Sequence, residues 1–419
     1  MDVRTAEVPQ DSVAGRSCTS GVADRVAVLT GGGDRPYVFG LCPALATDSM
    51  LVDVIGSDAL EGPELRGTPG LRFLNLQGDW PPRGSGRGRL ARVLRFYREL
   101  VRYVVTSAPR LLHILWNHHD KLELFDRTVL MLFYKLAGKI VVVTAHNVNT
   151  RKRDRTDSWL NRWTLRVQYH LADHIFVHSR QAAAELAEDF AIPSDRITTI
   201  PFGVNSSAPL TELTPVEAKA RLGLADDERV ILFFGRIQPY KGLEYLVAAV
   251  EQLVSKGDAR YRLIVAGEPM KEHWASWRPI EDRLREGPLR ERTILRASHI
   301  PDADAELYYK AADVAVLPYR AVYQSGILML AYKFGLPVVA TTVGSFSDVV
   351  VEGSTGFLCR PGDAEELVRA LEKYFQSDLY RNLGEHRERI RRFSEARYSW
   401  RAIAQITQNV YRSLVSSSF

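Results

Sequence analysis

The sequence predicts an α/β protein built from two doubly wound parallel sheets that face a central cleft. Three observations carry this. Short runs of β-branched and aromatic residues alternate with helical apolar patterns along both halves of the chain, and such alternation means parallel strands joined by crossover helices. The 419 residues are enough for two separate cores. In the second half, residues 230–242 read VILFFGRIQPYKG. A buried strand, a glycine, two cations and a helix start suit an anion outside the carboxyl end of a strand.

In order, the first 22 residues are polar with no apolar signal core, and a disordered leader is expected there. Strands are predicted at 25–30, 51–55, 111–116, 139–144, 174–178 and 197–201, and helices at 122–136, 159–171 and 181–190. Thr30-Gly31-Gly32-Gly33-Asp34 is a glycine loop after the first strand. The loop Thr144-Ala145-His146-Asn147 follows another strand, so His146 faces the cleft by topology. His118 and His119 are expected in a solvated loop, and His113 and His174 as structural residues. A linker is expected at 203–217, rich in Ser, Thr and Pro.

In the second half, Gly235 ends the first strand, Arg236 and Lys241 follow, and LEYLVAAVEQLV is helical. A strand at 314–318 leads to Ser325-Gly326 at the start of an apolar helix, and a strand follows at 338–341. A helix N-terminus offers free N–H groups to phosphate or sugar hydroxyls. The stretch 393–414 carries Trp400, Ile403, Ile406, Val410 and Tyr411 at helical spacing.

Composition sets outer bounds. With 46% hydrophobic and 25% charged residues the chain reads as soluble and globular. Cys18, Cys42 and Cys359 are scattered and lack metal spacing, so reduced thiols and a cytoplasmic setting are expected. No apolar run reaches the ~20 residues of a spanning helix. The net charge of +5 is concentrated. Arg83, Arg87, Arg89, Arg92, Arg95, Arg98 and Arg102 crowd one segment, and Arg151, Lys152, Arg153 and Arg155 form a second cluster. Residues 89–105 read as a helix whose packing stripe is Leu90, Val93, Leu94, Tyr97, Val101 and Val104. The arginine face suits an anionic membrane surface. Nucleic acid is the weaker partner, because no binding module accompanies the charge.

Further segments give a family likeness. Residues 311–319 read AADVAVLPY, 335–344 read GLPVVATTVG, and 352–358 read EGSTGFL. With the Gly235–Lys241 loop, this ordered set resembles the nucleotide-sugar-dependent retaining glycosyltransferases of family 4, of bacterial surface-polysaccharide type. That family has two Rossmann-like domains, the GT-B fold. The resemblance implies an acceptor domain over 23–205, a nucleotide-sugar domain over 206–392, and a helix over 393–419 crossing back to the first domain. It assigns the donor diphosphate to Arg236 and Lys241, and the reaction centre to His146. Donor contacts fall to Gly31, Gly32, Gly33, Gly235, Gln324, Ser325, Gly326 and Ile327. The donor is a nucleoside-diphosphate sugar and no metal or other cofactor is expected. The acceptor is expected to be a glycan or a lipid-diphosphate-linked glycan, and the positive charge of the first domain suggests a cytoplasmic protein peripheral at the inner membrane face.

One departure stands out. The family has two glutamates spaced eight apart around this serine–glycine step; here Tyr323 to Ala331 holds no acid. A non-catalytic partner that binds a glycan or another transferase is therefore an alternative, as is a nucleotide-sugar epimerase. Gly31, Gly33 and Asp53 also hint at a dinucleotide oxidoreductase, but Pro36 stands where that fingerprint needs its third glycine.

Overall fold

The computed structural model describes residues 24–31, 35–47, 50–79, 86–118, 122–154, 156–204 and 208–417. The expected leader, Gly32, Gly33, Arg83, His119, Arg155 and Cys18 lie outside them. The first sheet has seven parallel strands: β1 (Asp24–Leu29), β2 (Met50–Gly56), β3 (Leu71–Asn75), β4 (Leu111–Ile114), β5 (Ile140–Thr144), β6 (His174–Val177) and β7 (Ile197–Thr199). Their order is β3-β2-β1-β4-β5-β6-β7. The second sheet has six: β8 (Arg229–Phe234), β9 (Tyr261–Ala266), β10 (Thr293–Arg296), β11 (Val314–Leu317), β12 (Val338–Thr341) and β13 (Gly356–Cys359), ordered β10-β9-β8-β11-β12-β13. Both are Rossmann-like, and their strand order reverses between β1 and β4 and between β8 and β11. Ligands collect at such switch points.

Period-two alternation divides the first domain's core. In β5, Val141 and Val143 face one layer while Ile140 and Val142 face the other. The first layer is the row of helices Gly86–Thr106, 123–136, Trp159–Leu171 and Arg180–Phe190. The second is helix Arg35–Leu45 with the final helix, Trp400–Ser416, which crosses back from beyond the second domain. Ile403 and Tyr411 are buried there, each contributing about 1.5–3 kcal/mol of apolar burial. Trp400 Nε1 also donates to Val204 O (2.8 Å).

Three expectations need correction. The stretch 393–414 is not one helix: Leu383–Tyr398 ends and Ser399, in extended conformation, caps the helix that begins at Trp400. The predicted packing stripe of the arginine helix is displaced. Val93, Phe96, Leu100 and Val104 face the sheet, whereas Leu90, Leu94 and Val101 are exposed. Two apolar stripes lie side by side on this helix, and periodicity alone does not say which one the sheet takes. Asp53, the acid of the oxidoreductase alternative, is bound within the domain by Arg72 (2.6 and 2.9 Å) and Tyr103 (2.6 Å), so it is a structural carboxylate.

The domains are pinned together near the cleft. Tyr323, from the loop after β11, is buried in the first domain's core. Its hydroxyl accepts from Asn149 N (3.2 Å) and donates to Glu185 (3.1 Å). Arg180 pairs with Asp348 (2.7 Å), and Gly344 N donates to Gln181 (3.0 Å). Tyr323→Phe is expected to weaken this contact by about 1 kcal/mol. Hydrogen exchange at the Asn149 amide should then rise roughly five- to tenfold; unchanged exchange would show that the pin carries no load.

Candidate active site

The second domain supplies two cations with no counterion among the described residues. Gly235 closes β8 with φ +93°, and a Cβ there would sit 2.8 Å from Ile327 Cδ1 and 3.2 Å from Lys241 Nζ. Only glycine combines that backbone with that space. Lys241, in the turn Pro239–Lys241, is 6% exposed. Burial, helped by the charge of Arg236, pushes its ammonium down to about 7. Its Nζ lies 5.5 Å from the centre of the Tyr319 ring. Neither Lys241 nor the exposed Arg236 forms an ion pair among the described residues.

Facing them is helix Gly326–Lys333, capped by Ser325, whose hydroxyl accepts from Leu328 N. The N–H groups of Gly326 and Ile327 belong to its first turn and lack intrahelical acceptors. Gly235, Arg236, Lys241, Gly326 and Ile327 thus line one cleft of about 460 Å³ with Tyr37, Phe202 and Trp400 of the opposite side. Ser325 is buried as the cap and does not line it; Gln324 is half-buried and does not line it either. The cleft also holds Glu268, His299 and Asp302, which the sequence did not single out.

On the first domain, Gly31 follows β1 with φ +59°, and a Cβ there would come within 2.4 Å of Trp116 O and 2.6 Å of Asn117 O. The loops after β1 and β4 are therefore pressed together at the switch point. His146, after β5, is buried and stacks on Trp116 at 4.0 Å and 7°. Its hydrogen bonding can be followed outward. His178 Nδ1 lies 3.2 Å from Ile200 O, which can only accept, so this nitrogen carries the proton. His178 Nε2 then accepts from His146 Nδ1 (3.1 Å). His146 Nε2 is left as a bare, buried acceptor with no partner among the described residues. Burial, with His178 and His113 nearby, holds the His146 pKa well below the usual range, so the ring is neutral. Tyr37 links the two halves: it lines the donor-side cleft and meets His146 edge-on at 4.6 Å.

His146 also lines a second pocket, of about 180 Å³, with Trp116, Asn117, Glu123, Arg127, Asn147 and Gln168. Arg127 lies in a π-helical turn, Asp126–Leu130, inside the helix 123–136. His118 is not in a solvated loop: it is buried against Phe96, its N–H donating to Asp126 (2.9 Å). His113 and His174 are internal to the sheet, bonded to Thr144 (2.7 Å) and Thr198 (2.8 Å).

Comparison with known proteins gives the family and the fold. A family model described as "Glycosyltransferase Family 4" matches residues 31–208, and one described as "Glycosyl transferases group 1" matches 228–377. A D-inositol 3-phosphate glycosyltransferase of Corynebacterium aurimucosum is 28% identical over 253 residues, covering 58% of each chain. One of Geodermatophilus obscurus is 32% identical over 212 residues, covering 48% of this chain and 45% of that one. The chain thus spans about half the length of the curated relatives it matches. Among solved structures, sucrose-phosphate synthase of Thermosynechococcus elongatus superposes with TM-score 0.73 at 23% identity, covering 94% of this chain and all of that one. HepE of Anabaena, in complex with UDP and glucose, superposes with TM-score 0.70 at 17% identity over 93% of this chain and 100% of that one. These structures share the fold.

Proposed function

Because the chain belongs to the group 1 and family 4 glycosyltransferases, we propose that it moves a sugar from a nucleoside-diphosphate donor to a glycan or lipid-linked acceptor. Configuration is retained, and the product is an exopolysaccharide or related surface glycan made at the inner membrane face. The observation that carries the donor site is the pair Arg236 and Lys241 at the carboxyl end of β8, uncompensated among the described residues. A buried ammonium without a carboxylate is unfavourable, and a diphosphate would supply the missing charge.

In this reading the diphosphate lies against Gly235, where no side chain intervenes, and receives hydrogen bonds from Gly326 N and Ile327 N. Arg236 and Lys241 stabilise the charge that grows on it as the glycosidic bond breaks, so no metal is required. His146 Nε2 accepts from a sugar hydroxyl. The acceptor hydroxyl enters from the pocket beside Arg127, attacks the anomeric carbon on the face the diphosphate leaves, and passes its proton to the departing phosphate oxygen. Tyr37, Phe202 and Trp400 keep water out. Glu268 and Asp302 are carboxylates of the same cleft, and they take over the ribose hydroxyls from the acid missing on helix Gly326–Lys333.

A thermal-shift screen against UDP, GDP, ADP and their sugars tests this. One nucleotide should stabilise the protein by roughly 2–4 kcal/mol at 100–1,000 times its Kd, and Arg236→Ala should abolish the shift. No shift with any nucleotide would favour a non-catalytic partner. A donor returned as its epimer would mean epimerisation.

A further inference from the structure

Each helix on the outer layer of the first sheet needs one apolar stripe for packing. In three adjacent helices that stripe is filled, and a second stripe faces outward. The arginine helix packs through Phe96, Leu100 and Val104 and exposes Leu90, Leu94, Val101 and Val105. The helix 123–136 packs through Leu130, Met131 and Tyr134 and exposes Phe125, Val129, Leu132 and Leu136 at spacings of four, three and four. Helix Trp159–Leu171 packs through Leu165 and Tyr169 and exposes Trp159, Leu160 and Trp163. These helices lie side by side. Tyr97 meets Phe125 at 5.2 Å, and Arg127 donates to Asn161 (2.9 Å). With Leu124, twelve of the seventeen large exposed apolar side chains among the described residues fall on this one face, so the surplus is local and not general.

Cations flank it. Arg95, Arg98 and Arg102 are exposed beside the first stripe and Arg162 and Arg166 beside the third, while the arginine helix holds a single acid, Glu99. Arg95 and Arg102 form no ion pair among the described residues. A second copy of the chain seated here would set arginine against arginine. An anionic lipid surface answers both features at once, with apolar side chains entering about 5–10 Å and cations staying among the headgroups.

We infer that these three helices form a single membrane-docking platform, which inserts apolar side chains into an anionic bilayer and presents the acceptor pocket at its edge. The inference deepens the glycosyltransferase reading and rests on it for the acceptor: Glu123 and Arg127, from the second helix, and Leu165, from the third, line the pocket beside His146. The platform extends the sequence expectation, which gave the membrane only the arginine face and assigned Leu90, Leu94 and Val101 to packing.

The test is co-sedimentation of the full chain with phosphatidylglycerol-containing and pure phosphatidylcholine vesicles at low and high salt. The variant is Leu132→Ser/Leu136→Ser/Trp159→Ser. Wild type should bind the anionic vesicles, keep part of that binding at high salt, and show tryptophan quenching by brominated lipid that vanishes in Trp159→Phe/Trp163→Phe. The triple variant should bind roughly tenfold or more weakly with an unchanged melting temperature. Equal binding by the variant, loss of all binding at high salt, absent quenching, or concentration-dependent dimerisation without vesicle binding would each overturn the platform. Nucleotide stabilisation measured on the same samples reports the donor site separately. Its absence beside intact vesicle binding would sink the transferase reading and leave the docking surface standing.

Discussion

Lys241→Ala is expected to lower kcat/KM by roughly 10³-fold or more, since removing a preorganised group from a developing oxyanion costs 10²–10³ and this one carries full charge. The variant should fold normally, because it removes an unpaired buried charge. The same lysine predicts a pH dependence. Its ammonium stands at about 7 in the free protein, and a diphosphate requires the charged form. Below pH 7 donor affinity should be flat. Above it, affinity should fall up to tenfold per pH unit until the raised pKa of the complex is passed. Binding at pH 8 must then take up a proton, visible as a calorimetric enthalpy that changes with the ionisation enthalpy of the buffer. A buffer-independent enthalpy would place the phosphates elsewhere. The effect on folding has its own sign. A lysine depressed when folded makes the unfolded chain bind more protons between pH 7 and the ordinary lysine range, so this group favours folding more as pH rises through that window.

His146→Ala is expected to reduce kcat by roughly 10²-fold while the affinity for free nucleoside diphosphate stays within about twofold, because the proposed function gives Nε2 a sugar hydroxyl and not the phosphates. His146→Gln, which can return an acceptor oxygen, should recover part of the loss. The alanine variant also strips His178 Nε2 of its partner and Trp116 of its stack, costing about 2–3 kcal/mol of stability. A drop in nucleotide affinity equal to the drop in kcat would move His146 out of the sugar site.

The parts of this architecture that were legible in the sequence are those written in adjacent residues. β8, Gly235, the two cations and the following helix occupy thirteen consecutive positions, so strand period, glycine and charge are read together. β12 and helix Trp159–Leu171 were equally plain, each a single uninterrupted pattern. β3 was not, because it is an edge strand of five residues broken by Arg72 and Asn75. Contacts across long sequence separations were silent. Tyr37 meets His146, and the burial of His118 depends on Phe96. Gln324 and Ser325 were read from the motif as donor contacts. A motif gives a residue's place in the loop but not the turn of its side chain, and here the Ser325 hydroxyl serves as the cap of helix Gly326–Lys333. Glu268 and Asp302 come from two further loops and meet the site only through the topology of β9 and β10.

The final helix has a consequence in time. Ile403, Ala404 and Tyr411 cover one face of a sheet whose last strand ends at Thr199, about two hundred residues earlier. At ribosomal rates of 5–20 residues per second that interval is roughly 10–40 s. For that period Val26, Val28, Val52 and Val54 lack part of their native cover, and of the two long helices on that face of the sheet only Arg35–Leu45 is in place. Maturation therefore runs in the order second domain, then first. A nascent chain stalled within the second domain would present to chaperones the apolar strand face that the finished protein conceals.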